Sequence, residues 1–105
     1  MQDAVRAALR DMLGGAVGIG VTDPRDAAEG LWPQERSAIA GAIPKRQKEF
    51  AAGRRAAREA MRNLGLPDTA IPMGQQRAPV WPNGLVGSIA HCDTICIAVV
   101  SQADQ

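Results

Sequence analysis

The segment from Pro44 to Gly65 constrains this chain more than any other. Pro44 suits the first turn of a helix, where its missing N–H costs nothing. Gly65 supplies a C-terminal stop, and Pro67 prevents continuation. The spacing therefore predicts one long helix between them. On a wheel of about 100° per residue, Phe50, Ala57, Met61 and Leu64 form one narrow apolar stripe. Arg46 and Arg54 fall on or beside that stripe and Arg58 slightly further round. Arg55 and Arg62 lie nearly opposite, as solvent-facing charges would. Arginines bordering a buried face need anionic partners, because an unpaired buried charge is very costly. Two answers fit the wheel equally: a neighbouring acid or escape of the guanidinium to the surface, and a bound anionic ligand.

With 105 residues, 46% of them apolar, the chain fits one domain that buries roughly two-thirds of its unfolded surface. Its 11 Gly and 7 Pro fall below the level that favours disorder. Val5, Leu9, Met12 and Leu13 sit at helical spacing, and Gly14-Gly15 ends that helix. Ala16 to Val21 reads as a short strand closed by Asp23-Pro24. The glycines from Gly14 to Gly20 lack the G-x-G-x-x-G order, and no helix follows them, so they mark a turn plus strand rather than a dinucleotide loop. Leu31-Trp32-Pro33-Gln34-Glu35 opens a second helix, with Pro33 in its first turn. After Gly65 a loop runs from Pro67 to Pro79 and contains Met73-Gly74-Gln75-Gln76-Arg77. Trp81-Pro82-Asn83-Gly84 is a turn signal. Val86 to His91 reads as a strand, Cys92-Asp93-Thr94 as a tight connection, and Ile95 to Val100 as the return strand of a hairpin.

Twelve basic and eleven acidic residues give a net charge of +1, so the chain as a whole is not built to bind a polyanion. The distribution is less even. Lys45, Arg46, Lys48, Arg54, Arg55, Arg58 and Arg62 share one segment with only Glu49 and Glu59. A locally basic helix in a neutral chain points to a discrete anionic ligand. A nucleic-acid module built on that helix is the rival reading, disfavoured by the net charge, a single Phe and the absence of Tyr. A guanidinium is always charged and matches two phosphate oxygens at once. Backbone N–H groups near Gly87 and Ser88, the Ser88 hydroxyl and the imidazole of His91, the sole histidine, would complete a phosphate cradle. No acid stands near enough in sequence for a triad, and no Asp-x-Glu or Asp-x-Asp pair is present for magnesium. If Cys92 and Cys96 lay on one extended strand, four residues apart, their Cα atoms would be about 13 Å apart and could not form a disulfide. With one histidine a zinc site is poorly supplied, and both cysteines are expected to be reduced and packed as small hydrophobes. Nothing resembles an export signal or a bilayer span, so the expectation is cytoplasmic and without membrane contact.

Lys45-Arg46-x-x-Glu49-Phe50-x-x-Gly53-Arg54-x-x-Ala57-Arg58-x-Ala60-x-x-x-Leu64-Gly65, followed by Pro79-x-Trp81-Pro82-x-Gly84-x-x-Gly87-Ser88-Ile89-x-His91-Cys92, resembles the 4′-phosphopantetheinyl transferases. The match is to the class of enterobactin synthase component D and the actinobacterial enzymes, and Leu31, Pro33 and Glu35 fit its looser upstream pattern. The resemblance implies an α+β fold, one half of a pseudo-twofold, with helices packed on a small, mainly antiparallel sheet. Residues 1–105 would form a single domain equivalent to the N-terminal, coenzyme A-binding half. Such enzymes move the phosphopantetheine arm of coenzyme A onto a serine of an acyl or peptidyl carrier protein. The serine oxygen attacks the β-phosphate and 3′,5′-ADP leaves, with magnesium on the diphosphate.

The resemblance implies that Arg46, Arg54 and His91 contact coenzyme A phosphates, and that Arg58, Gly74, Gln76 and Ser88 belong to the same binding set. The Met73 to Gln76 loop would flank the nucleotide. Ala90 would help hold the 3′-phosphate, although relatives usually place Ser or Thr there and one hydroxyl is missing. The loop has Met73 and Gln76 where some relatives have lysines, so it brings less positive charge. The Gly-Ile-Asp-x-Glu metal motif and the Lys-Glu-x-x-x-Lys motif of the family lie in a second half, and the chain stops before the first of them. After Trp81 the only acids are Asp93 and Asp104. The implied partners are therefore a carrier protein and a complementary C-terminal half or second subunit, with no catalytic residue or metal ligand assigned here and no activity expected from this chain alone. The surface meeting that half is expected around Ile95 to Val100. A non-catalytic interaction domain with a degenerate site is the other alternative.

Overall fold

A computed structural model describes residues 1–103. Its element order is α1 (Gln2–Leu13), β1 (Gly18–Thr22), α2 (Pro33–Arg36), α3 (Pro44–Asn63), β2 (Leu85–His91) and β3 (Cys96–Gln102), with short 3-10 turns at Ser37–Ile39 and Gln75–Arg77. The three strands form one antiparallel sheet in the order β1-β3-β2, so the last strand lies in the middle. This is the expected α+β arrangement, and the hairpin turns where its residues indicated, with the Cys92 amide donating to the Ile95 carbonyl at 3.0 Å.

Helix α3 is buried much further round than one stripe. Phe50 to Arg54, Ala56 to Arg58, Ala60 and Met61 are all enclosed. Alanines and glycines make this possible, because they let backbones approach closely. Gly18 and Gly20 of β1 face α3 so tightly that a Cβ on either would come well inside 3.0 Å of the Ala60 or Ala56 carbonyl oxygen. Gly18 and Gly20 of the glycine run thus serve helix-on-sheet packing. The core then gathers Ala52, Ala56, Ala57, Ala60 and Met61 against Cys96, Ala98 and Val100 of β3, with Ile71 inserted from the loop.

The outer edge of β1 is covered by side chains. The Ile19 amide donates to Asn63 Oδ1 and the Val21 amide to Glu59 Oε1, each at 3.2 Å. Arg6 of α1 bonds the Val21 carbonyl at 2.7 Å and Glu59 at 2.7 Å. Those contacts satisfy edge groups that would otherwise invite another strand.

The two-residue period of β2 fixes what reaches α3. Gly87, Ile89 and His91 pair with Val100, Ala98 and Cys96, the residues that face the helix. Val86, Ser88 and Ala90 pair with Ser101, Val99 and Ile97 and lie on the other face. Residues 95 to 100 are accordingly not one uniform apolar surface: Cys96, Ala98 and Val100 belong to the core, and Ile97 and Val99 are half-buried on the open face. The cysteines also part company, Cys96 being buried and Cys92 exposed. Among the described residues no helix is long and apolar enough to cross a membrane.

Candidate functional site

The first half of α3 presents Arg46, Glu49, Phe50, Gly53 and Arg54 at i, i+3, i+4, i+7 and i+8, which places them on one helical face. Ile89 and His91 of β2 stand across from them, and Arg77 and Pro79 close the far side, leaving a cleft of about 140 Å³. Gly53 lets β2 come close, since a Cβ there would sit 3.2 Å from Ile89 Cγ2. The helix and hairpin therefore bring Arg46, Arg54 and His91 together from segments separated by nearly forty residues of chain.

Arg54 is the floor of this cleft. It is only 5% exposed. Its guanidinium lies 4.2 Å from the Phe50 ring centroid, and Nε donates to the Ile71 carbonyl at 2.7 Å. Nη2 is buried and has no hydrogen-bond partner among the described residues. Burial pulls its pKa down to about 10; Arg58 and Arg46 add repulsion, which Glu35 opposes. Arg46 lies 5.7 Å from the same ring. No ion pair among the described residues engages Arg46, Arg54 or Arg77, and Glu49 is the single acid lining the cleft.

Arg58 is placed differently. It forms a buried ion pair with Glu35, Nη1 to Oε2 at 2.5 Å and Nη2 to Oε1 at 3.0 Å, and Nη2 also reaches the Gly30 carbonyl. Glu35 further accepts from the Ile71 amide at 2.7 Å and the Trp32 amide at 2.9 Å. Burial pushes the Glu35 carboxyl up, but Arg58 and the two amides outweigh it and the net shift is downward. Arg58 thus ties α2 and the 69–71 loop onto α3 and does not line the cleft. For this residue the neighbouring acid is the answer the wheel left open.

Other expected residues also separate. Ser88 and Ala90 are exposed on the face of β2 away from α3, so the Ser88 hydroxyl and the His91 imidazole do not form one cradle. Gly74 and Gln76 belong to the loop that carries Arg77; the Gly74 amide donates to the Ala78 carbonyl at 2.7 Å, and neither side of that pair lines the cleft. Arg55 is not a free surface charge: it donates to the Ala27 and Glu29 carbonyls at 3.2 and 3.0 Å. Arg62 is exposed, paired with Asp68 at 2.9 Å. Arg77 is the cleft guanidinium that the sequence did not single out.

A larger cavity of about 330 Å³ lies at the other end of the sheet, between Met61, Leu66, Pro82 and Leu85, and no charged side chain lines it. Among the described residues no three His, Cys, Asp or Glu side chains gather where they would hold a metal ion. Asp93 is exposed beside Lys45 and Lys48, and Asp104 lies outside the described residues. The described residues do not fit a magnesium site.

A family model described as the 4′-phosphopantetheinyl transferase N-terminal domain matches residues 34–101. The chain is 44% identical over 80 residues to 4′-phosphopantetheinyl transferase Svp of Streptomyces mobaraensis, covering 76% of this chain and 32% of that protein. It is 42% identical over 72 residues to 4′-phosphopantetheinyl transferase PptT of Mycobacterium tuberculosis, covering 69% and 32%. It is 42% identical over 73 residues to enterobactin synthase component D of Escherichia coli K12, covering 69% and 34%. The chain spans about a third of the length of these relatives. A crystal structure of a holo-(acyl-carrier-protein) synthase from Bacillus anthracis, in complex with CoA (3′,5′-ADP), shares the fold with a TM-score of 0.64 at 22% identity, over 81% of this chain and 92% of that one.

Proposed function

The chain belongs to the 4′-phosphopantetheinyl transferase family, through its N-terminal domain, and we propose that its cleft binds the phosphates of coenzyme A for transfer of the phosphopantetheine arm to a carrier-protein serine. One observation carries this reading. Arg54 keeps a buried N–H without a partner in a cleft that it shares with Arg46 and His91. A phosphate oxygen supplies the missing acceptor and offsets the burial of the charge. Arg46 at the rim adds a second guanidinium and His91 an imidazole N–H donor, while the Gly74–Gln76 turn lies beside the cleft and carries Arg77 into it. Arg58 and the side-chain positions of Ser88 and Ala90 take no part in it.

In this reading the chain binds and orients the donor. Magnesium, which the family uses on the diphosphate, would need ligands from outside the described residues. We assign that role to a complementary segment or second subunit, and the acceptor role to an acyl or peptidyl carrier protein. The open sheet face, with Val86 51% exposed beside half-buried Ile97 and Val99, is an apolar surface suited to such a complementary part. Calorimetry with coenzyme A, 3′,5′-ADP and dephospho-coenzyme A tests the binding claim. Preference for the first two is expected, and equal affinity for all three would refute a 3′-phosphate contact.

A further inference from the structure

The loop that closes the cleft holds two consecutive residues, Gln76 at φ 56° and Arg77 at φ 63°, in left-handed backbone that L-residues other than Asn and Asp rarely adopt. The turn is braced on both sides. The Gly74 amide donates to Ala78, Ala78 to Gln75 and Val80 to Pro72, at 2.7, 3.1 and 2.8 Å, and Met73 bridges to Pro79. A glycine at 76 or 77 would relax the backbone without loss of these bonds. What the strained conformation delivers is the Arg77 side chain, which lines the cleft and makes no hydrogen bond or ion pair among the described residues. Three guanidinium groups then face one carboxylate, that of Glu49, in a small space. Such an excess of unpaired cation suits a doubly charged phosphate.

We propose that Arg77 is a further phosphate-binding residue of this cleft, and that its left-handed turn is kept, at a cost in stability, to aim it there. The inference rests on the coenzyme A reading and adds to it the source of the positive charge that the loop lacks at Gln76. Strain held at a binding position makes a distinctive signature: relief of the strain and loss of the ligand go together.

The test measures coenzyme A binding by calorimetry, and thermal unfolding without ligand, for wild type, Arg77→Gly, Arg77→Ala and Arg77→Lys. Loss of one charge-assisted contact is expected to weaken binding roughly ten- to a hundredfold in the glycine and alanine variants. Arg77→Lys keeps the charge and is expected to fall between them and wild type. Arg77→Gly is expected to melt at or above the wild-type temperature. Wild-type affinity in Arg77→Gly would overturn the inference and leave the coenzyme A reading standing. Parallel loss of stability and affinity in Arg77→Gly and Arg77→Ala would show a structural residue and overturn it too. Failure of wild type to bind coenzyme A, with inorganic pyrophosphate bound in an Arg77-dependent way, would support Arg77 as an anion contact and refute the coenzyme A reading. Failure to bind either would end both.

Discussion

Two buried arginines, one helical turn apart on α3, are expected to answer the same substitution in opposite ways. Arg54 is 5% and Arg58 3% exposed, so burial alone does not distinguish them. Their partners do. Arg58→Met leaves the Glu35 carboxylate enclosed with only the Ile71 and Trp32 amides. Stranding one member of a buried pair costs about 3–5 kcal/mol. For a domain of this size that lowers the melting temperature by roughly 4–8 °C per kcal/mol. Arg54→Met strands no charge. It gives up one charge-assisted bond to the buried Ile71 carbonyl, worth about 1.5–3 kcal/mol. In return it removes a desolvated guanidinium and keeps an apolar stem against Phe50. The expected change in stability is within about 1 kcal/mol of zero. Ligand affinity shows the reverse order: Arg54→Met loses a charge-assisted contact of about 1.5–3 kcal/mol, a tenfold to hundredfold weakening. Thermal and urea unfolding of both variants, with coenzyme A calorimetry on Arg54→Met, read the two quantities separately. A stability loss in Arg54→Met as large as that in Arg58→Met would refute the assignment of Arg54 to the ligand.

Acid should act through Glu35. Its carboxyl is held below the ordinary range, so its contribution is complete above the unfolded value of about 4.3 and is lost as pH falls through the lower folded value. Melting curves from pH 7 down to pH 3 should fall more steeply for wild type than for Glu35→Gln, and parallel curves would contradict this. Gly20→Ala should cost at least about 3 kcal/mol, since its Cβ meets helix backbone that has no room to retreat; near-wild-type urea unfolding would show that the sheet and α3 are further apart. The chain alone should not load an apo carrier protein in a mass-spectrometric assay, and should do so when a C-terminal half from a relative is co-expressed. Robust loading by the purified chain would show that this chain assembles a metal site of its own.

How much of this was legible depends on whether the deciding contact is local. The ends of α3 were, because Pro44 and the Gly65–Pro67 stop act within a turn of where they stand. The hairpin was as well, through strand-forming runs either side of Cys92–Thr94. The division between Arg54 and Arg58 was not: they share a helical face, and what separates them is Glu35, which lies 23 positions from Arg58 and reaches it only after the chain has folded back. The width of the buried face of α3 was hidden for the same reason, since its alanines read as neutral until Gly18 and Gly20 bring a strand against them. Ser88 is a different case. Three positions along a strand put it on the opposite face from His91, and the two-residue period alone would have separated them. Arg77 depended on left-handed backbone that its residue type does not signal.

The central claim is that coenzyme A phosphates sit in the cleft between α3 and β2. Amide chemical shifts of the labelled chain, followed as 3′,5′-ADP is added, test it most directly. Saturable shifts concentrated at Arg46, Gly53, Arg54, Ile89 and His91 are expected. Shifts confined to the Met61–Leu66–Leu85 cavity, or scattered without saturation over exposed arginines away from the cleft such as Arg25 and Arg62, would contradict it.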